Sequence, residues 1–367
     1  MATIALDATY TVDPEPSGIA VYSRRLIESL ADRENRYRFL LCYRLSRFRQ
    51  RREFLRPSSP LAPGGFSTRF VQEPLTFWLP WEAELFHSLA QRPPAFRFRK
   101  EIVTVFDLFP ITGQNYSAPE FRRKFSSLLR KAVGRAARVI TLSRYTASQL
   151  TDHCNVPAER IRVIPAGVDL PVQSLTPGER RREREKLVGN GYEMILSVGV
   201  IQTRKNTLNA LRALALLPER YKLVLAGGGK GYGSEAVYKF IGAARLASRV
   251  TLLGYVAAER LAALYEAASV FLFPSLEEGF GIPVLEAMAH GVPVVTSNTS
   301  SLPEVGGRAV LYVDPRQPAD IAKNVVRAAE DDDLRQRMIQ DGLVRAREFT
   351  WRRTAEQTCQ VYEEVLG

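Results

Sequence analysis

Two glutamates, Glu278 and Glu286, flank a glycine-rich turn in the stretch Phe273-Pro-Ser-Leu-Glu-Glu-Gly-Phe-Gly-Ile-Pro-Val-Leu-Glu-Ala-Met-Ala-His-Gly-Val-Pro-Val-Val295. Carboxylates accept hydrogen bonds without donating any, so such a pair suits the vicinal hydroxyls of a ribose or a hexose. Between them run Gly279, Phe280, Gly281, Ile282 and Pro283. A buried strand is expected to end at Phe273 and lead into this turn. Pro283 then stands where a helix can begin, since its missing N–H costs nothing at the first position, and Gly291 stands where that helix would stop. The turn would aim free backbone N–H groups and a positive helix end at one spot, which is an anion site. Glu286 is expected in the first helical turn, where its side chain leans back toward a ligand at the N-terminus. Taken singly, Glu286 reads as a dipole-stabilising helix carboxylate and Glu278 as a solvated loop residue. Their combination with the glycine turn points to a ligand.

An anionic leaving group such as a diphosphate needs fixed cations, and Val198-Gly-Val-Ile-Gln-Thr-Arg-Lys-Asn206 offers two at the expected end of a strand. Arg204 presents a planar fork to phosphate oxygens and Lys205 a compact point charge. Both would stabilise negative charge that develops as a bond to the diphosphate breaks.

Other motifs carry less. Gly227-Gly-Gly-Lys-Gly-Tyr-Gly233 fits neither the dinucleotide fingerprint nor the P-loop, because Lys230 is followed by glycine, so a strand-to-helix turn is expected there. Asp331-Asp-Asp333 lies between two helical patterns without companion ligands and reads as a turn with a helix cap. His87, His153 and His290 have neither zinc-like spacing nor a nucleophile beside them, although His87 follows the expected strand Glu84–Phe86. Ser275 lacks the nucleophile-elbow context. The sequence therefore offers no metal site, and no cofactor is expected.

The elements that must position these residues follow from hydrophobic periodicity. Short apolar runs alternate with amphipathic stretches, the pattern of wound parallel sheets. In the first half Thr3–Leu6, Phe39–Tyr43, Ile102–Phe106, Val139–Leu142 and Ile161–Ile164 are expected as strands. Ile19–Ala31, Glu120–Ala137 and Arg144–His153 are expected as helices. A Pro/Gly stretch from Leu170 to Gly178 and the charge run Glu179–Lys186 suggest a domain boundary. The alternation then restarts, with strands at Met194–Val200, Lys222–Ala226, Val250–Leu253, Val270–Phe273 and Val292–Thr296 between helices. The expected fold class is α/β, with two Rossmann-like domains, 1–175 and 176–351, facing across a cleft. Sheets of this kind present their strand C-termini to ligands.

With these residues in view, the chain resembles the GT-B glycosyltransferases of family 4. The resemblance rests on Val198–Asn206, on the two glutamates with seven residues between them, and on Ile164-Pro-Ala-Gly-Val-Asp169. It spans nearly the whole chain. It implies a metal-independent enzyme that moves a hexose, with mannose one option, from a nucleotide-diphosphate sugar with retention of configuration. It implies that Glu278 contacts donor-sugar hydroxyls and Glu286 the ribose. Gly279, Phe280, Gly281, Ile282 and Pro283 would hold sugar and phosphate, Arg204 and Lys205 the diphosphate, and Tyr255 and Val256 would meet the base. Gly18, in Ser17-Gly-Ile-Ala-Val-Tyr22, matches the family's glycine at a helix start near the distal phosphate. The first domain would bind the acceptor, and the last helix, 352–367, would pack back on it. Two departures stand out. Val105-Phe106-Asp107 replaces a histidine–aspartate pair, which leaves Asp107 to carry polar work beside the donor sugar, and Ala166 stands where asparagine is usual.

Composition fits an ordinary globular protein, with 46% hydrophobic and 25% charged residues among 367. The three cysteines, Cys42, Cys154 and Cys359, lie far apart, as free thiols in a reducing compartment would. No signal peptide and no spanning segment is evident, so a cytoplasmic location is expected. The net charge of +12 is unevenly spread, with 26 basic and 16 acidic residues in 1–175 against 25 and 23 in 176–367. Arg47-Phe-Arg-Gln-Arg-Arg52, Arg97-Phe-Arg99 and Arg122-Arg-Lys124 suggest peripheral association with an anionic membrane face, arginines on phosphates and phenylalanines in the headgroup region. A soluble anionic acceptor, or mere solubility, accounts for the same charge. Expected partners are thus a nucleotide sugar and a glycan or lipid-linked acceptor. Two other readings compete: a nucleotide-sugar epimerase on the same architecture, which needs an acid/base pair, and a nucleic-acid-binding protein, which the lack of aromatic interleaving disfavours.

Overall fold

The computed structural model describes residues 1–31, 36–50, 66–73, 75–113 and 115–367. They form two units. One comprises Met1–Thr112, Glu120–Gly167 and Thr350–Gly367, the other Gly113–Pro119 and Val168–Phe349. The chain passes from the first unit to the second between Gly167 and Val168, and returns to the first with its last helix.

The first unit holds a seven-stranded parallel sheet: β1 (Ala2–Asp7), β2 (Tyr37–Arg44), β3 (Phe66–Val71), β4 (Leu85–Ser88), β5 (Lys100–Val105), β6 (Arg138–Thr141) and β7 (Ile161–Val163), in the order β3-β2-β1-β4-β5-β6-β7. Strands β1, β4 and β5 are buried along most of their length, as central strands covered on both faces must be. Sequence reading passed over β3, whose intermediate and exposed residues alternate along a sheet edge. The helix Gly18–Ala31 buries Ala20, Tyr22, Leu26, Ile27 and Leu30 and packs against the last helix, Trp351–Leu366. Gly167 makes room for that helix. A Cβ there would lie 2.3 Å from the backbone nitrogen of Trp351. Thr354 Oγ1 donates to Pro165 O at 2.8 Å beside it.

The same helix explains His87. Tyr362 Oη lies 2.7 Å from His87 Nδ1, and Thr104 Oγ1 lies 2.8 Å from Nε2. The imidazole is fully buried inside β4, and burial pushes its pKa down to about 3, so it is a neutral core residue. Phe106 is also a core residue, packed edge-on against Tyr22 with ring centroids 5.1 Å apart. The membrane expectation loses one of its anchors here. Phe98, between Arg97 and Arg99, is buried and stacked on Phe86 at 4.5 Å. Phe48 packs on Phe70, while Phe121 is exposed. Arg51 and Arg52 lie outside the described residues. No helix among the described residues is long and apolar enough to cross a membrane.

The second unit holds a six-stranded parallel sheet: β8 (Glu193–Val198), β9 (Tyr221–Ala226), β10 (Val250–Gly254), β11 (Val270–Phe273), β12 (Val294–Ser297) and β13 (Leu311–Val313), in the order β10-β9-β8-β11-β12-β13. Three-residue β13 is too short for periodicity to register. One hydrophobic core joins this sheet to Thr207–Leu216, Ser234–Ala243 and Pro318–Glu330 through Leu211, Leu214, Val237, Ile321 and Val325. The charge run after Thr176 lies in a helix, Pro177–Val188. A capping box starts it: Thr176 Oγ1 accepts from Glu179 N, and Glu179 Oε2 accepts from Thr176 N at 2.8 Å.

Candidate active site

Three loops at the carboxyl ends of β8, β11 and β12 build the site in the second unit. The loop after β8 reaches a short turn, Thr203–Lys205, closed by Asn206 in the left-handed region at φ +59°. Asn206 Nδ2 donates to Pro274 O at 2.9 Å and to Pro315 O at 2.7 Å, tying this loop to those after β11 and β13. Leu276 N donates to Arg204 O at 2.9 Å and adds a second tie. Asparagine tolerates this backbone where most side chains do not. The glycine run after β9 is a turn against the same loop, and Gly227 is fixed by space. A Cβ there would lie 2.1 Å from Gly199 O.

This framework brings Arg204, Lys205 and Glu278 together. Arg204 Nη1 lies 2.8 Å from Glu278 Oε2, and Lys205 Nζ donates to Glu278 Oε1 at 2.6 Å. Arg204 Nη1 also donates to Glu277 O at 2.5 Å. Lys205 Nζ sits over the Phe273 ring, 4.6 Å from its centroid, a cation–π contact. Glu278 and Arg204 are buried, and Lys205 is the more accessible cation. Burial alone would raise the pKa of Glu278. The charges of Arg204 and Lys205 overcome it and hold the carboxyl at about 2. The cluster is therefore ionised at neutral pH and carries one net positive charge.

The turn between the glutamates is held from behind by the loop after β12. Ser300 Oγ accepts from Glu278 N at 3.0 Å, and Ser301 Oγ bonds Glu278 O and Phe280 O at 2.8 and 2.7 Å. Gly281 takes φ +118°, and the helix Ile282–Ala289 follows with Pro283 at its second residue. Phe280, Gly281 and Ile282 donate no backbone N–H to protein acceptors among the described residues, so this corner has donors to offer an anion. Phe280 itself is buried, edge-on to Phe349.

Glu286 is the fifth residue of its helix, because the helix starts at Ile282, one residue earlier than expected. Its Oε2 accepts from Tyr265 Oη at 2.8 Å. Burial raises its pKa, the Tyr265 bond opposes this, and the negative charge of Asp169 adds to the rise. Tyr265 stacks on His290, whose Nδ1 lies 3.3 Å from Glu266 Oε1. Tyr255 is exposed and Val256 half-buried in the loop after β10, which turns at Gly254 with φ +67°. Gly18 and Asp107 belong to the first unit. Gly18 is the exposed first residue of its helix, and Asp107 is half-buried just past β5, its carbonyl 3.3 Å from Gln91 Nε2.

Asn206, Tyr265, Ser300 and Ser301 were not singled out by sequence reading. Only Asn206 left a signal, as an asparagine closing the Arg-Lys turn. The others depend on loops that meet only in three dimensions. Among the described residues no group of His, Cys, Asp and Glu could hold a metal ion. Asp331 is a helix cap, its Oδ1 accepting from Leu334 N at 2.9 Å.

Comparison with known proteins fits this geometry. The model of glycosyl transferases group 1 matches residues 179–344, and that of glycosyltransferase family 4 matches 16–171. The chain belongs to this family of glycosyltransferases, whose two-unit α/β architecture is the GT-B fold. The O-antigen chain mannosyltransferase B of Escherichia coli is 33% identical over 273 residues, covering 73% of this chain and 71% of that protein. The serotype-specific mannosyltransferase WbdA of Escherichia coli is 28% identical over 278 residues, and the matched part is 34% of its length. Among solved structures, sucrose-phosphate synthase from Thermosynechococcus elongatus has a TM-score of 0.78 at 23% identity, covering 100% of this chain and 99% of that one. Anabaena Alr3699/HepE in complex with UDP-glucose has a TM-score of 0.79 at 17% identity, covering 99% and 100%.

Proposed function

We propose that this glycosyltransferase moves a hexose, mannose first among the candidates, from a nucleotide-diphosphate sugar to a glycan or lipid-linked acceptor with retention of configuration. The observation that carries this reading is the ionised Arg204–Lys205–Glu278 cluster beside the open N–H corner at Phe280–Ile282. Mannose is favoured by the two mannosyltransferase relatives. The nucleotide sugar is favoured by an anion corner with hydroxyl-binding carboxylates on each side.

In this reading Glu286 accepts from the ribose hydroxyls and Glu278 from those of the hexose. Gly279 to Pro283 line sugar and phosphate, Tyr255 and Val256 border the base, and Gly18 and Asp107 serve from the first unit. Arg204 orients Glu278 while Lys205, the accessible cation, meets the departing diphosphate. The acceptor oxygen forms a bond to the anomeric carbon on the face from which the diphosphate oxygen leaves. The hydroxyl proton passes to that diphosphate, and no divalent ion is required because the two cations supply the charge. The enzyme works at the cytoplasmic face of a membrane when its acceptor is lipid-linked.

The test is a donor screen that follows nucleoside diphosphate release for each nucleotide sugar, repeated after thorough chelation. Release with one sugar donor, unchanged by chelation, is expected. Turnover abolished by EDTA and restored by magnesium or manganese would overturn the metal-free reading.

A further inference from the structure

The first unit contains a cavity of about 300 Å³ at the carboxyl ends of β1, β2 and β3, next to β4. Asp7 of β1 and Phe86 of β4 both line it, so it adjoins the point where strand order reverses, the position at which wound sheets bind ligands. Its volume is at the lower end of small-molecule sites. Asp7 and Thr9 are its buried polar groups, and Arg44, Glu73 and Arg92 stand on an exposed rim. Asp7 Oδ1 accepts both bonds from Thr9, 3.1 Å from the backbone nitrogen and 2.6 Å from Oγ1. Among the described residues its second oxygen, Oδ2, accepts none. A buried carboxylate with one oxygen unused is an acceptor waiting for a donor such as a hydroxyl.

Charge decides the kind of ligand. Two carboxylates and two guanidiniums line the cavity, which gives an anion no net attraction. The chain then leaves Glu73 and exposes Leu75, Phe77, Trp78 and Trp81 within seven residues. Phe77 meets Trp78 edge-on at 5.5 Å and Trp81 at 6.1 Å, so the rings form one patch. Carboxylates flank this stretch along the chain, Glu73 accepting from Ala95 N at 2.6 Å and Glu82 paired with Arg69 at 2.8 Å. An anionic lipid surface gains nothing from such flanks. A sugar gains twice, through hydroxyls on carboxylates and apolar ring faces on aromatics.

We propose that this cavity holds one uncharged sugar of the acceptor through Asp7, and that the Phe77–Trp81 patch carries further sugars of the same glycan. The acceptor is therefore an oligosaccharide rather than a single sugar. This rests on the transferase reading above for its role but not for its test. The experiment is calorimetric titration of the intact chain, without donor, with neutral oligosaccharides of one to four residues of mannose, glucose, galactose and N-acetylglucosamine.

One series is expected to bind more tightly as it lengthens. Phe77→Ala and Trp81→Ala should remove that gain with length while leaving single-sugar binding in place. Asp7→Asn should weaken every member of the series about tenfold, the scale of one charge-assisted hydrogen bond. Trp81 is 78% exposed, so its variant reads the patch even where Asp7→Asn fails to fold. Affinity independent of length, or no binding of any series while nucleotide sugar still turns over, overturns this proposal and leaves the transferase reading intact. Oligosaccharide binding without turnover of any nucleotide sugar supports the cavity and defeats that reading instead. If the aromatic variants abolish sedimentation with anionic vesicles but keep the length dependence, the patch is a membrane contact and the glycan assignment fails.

Discussion

Two buried polar clusters, one in each unit, solve the same problem in opposite ways. In the second unit Glu278, Arg204 and Lys205 stay charged, because each charge has a partner held in place by Asn206 and Ser300. In the first unit His87 stays neutral, wedged between Tyr362 and Thr104. Ionised groups fixed at the end of a sheet can stabilise charge that appears during a reaction without reorganising. A neutral imidazole in the middle of a strand has no such use and serves to fasten the last helix. Burial by itself thus does not mark a functional residue. What marks it is a charge kept at the cost of building a cage around it.

Three experiments probe that contrast, from the largest effect to the smallest. Lys205→Ala is expected to lower kcat by roughly 10²–10³-fold in steady-state assays, the scale for one preorganised electrostatic contact. Glu278→Ala should in addition destabilise the fold by about 3–5 kcal/mol in urea melts, because Arg204 is left buried without its carboxylate. A Glu278→Ala protein as stable as the wild type would mean that the cluster is not the buried cage described.

The second concerns acid. The pKa of His87 falls from 6.5 unfolded to about 3 folded, and that of Glu278 from 4.5 to about 2. Both folded values are depressed, so each group contributes stability above its unfolded pKa that is lost as pH falls toward its folded one. The loss from His87 begins near pH 6.5 and that from Glu278 only near 4.5, so the first unit should weaken in milder acid. All three tryptophans, Trp78, Trp81 and Trp351, lie in that unit. Tryptophan fluorescence should therefore report unfolding at a higher pH than circular dichroism of the whole chain. His87→Gln, which is neutral throughout, should move the fluorescence transition to lower pH, and an unmoved transition would refute the assignment.

The smallest effect concerns Glu286. Its pKa is raised by burial, and the Tyr265 hydrogen bond counteracts part of that rise. Tyr265→Phe should push it higher still, so that donor affinity falls off at a higher pH on acidification while kcat changes little. The pH profile of donor KM checks this. A profile that does not shift would mean that Tyr265 only fills space between Phe271 and His290.

Much of this protein was legible in the order of its residues. Alternating apolar runs predicted most strands of both sheets, since a parallel strand buried on both faces must be apolar along its length. The candidate site stood out too, because a glycine turn, a helix-starting proline and two glutamates lie within a dozen residues of one another. Edge strand β3 and short β13 escaped because an exposed or three-residue strand leaves no period to read.

What tertiary structure alone decided was which charges meet. Glu278 is seventy-three residues from Lys205, and its depressed pKa exists only because the loops after β8 and β11 close on each other. His87 lies 275 positions from Tyr362, and its neutrality comes from a helix that returns to the first unit at the end of the chain. Phe98 sits between two arginines in the sequence and inside the core in space. A protonation state depends on solvent and on the nearest charges in three dimensions, and neither is a property of neighbours along the chain.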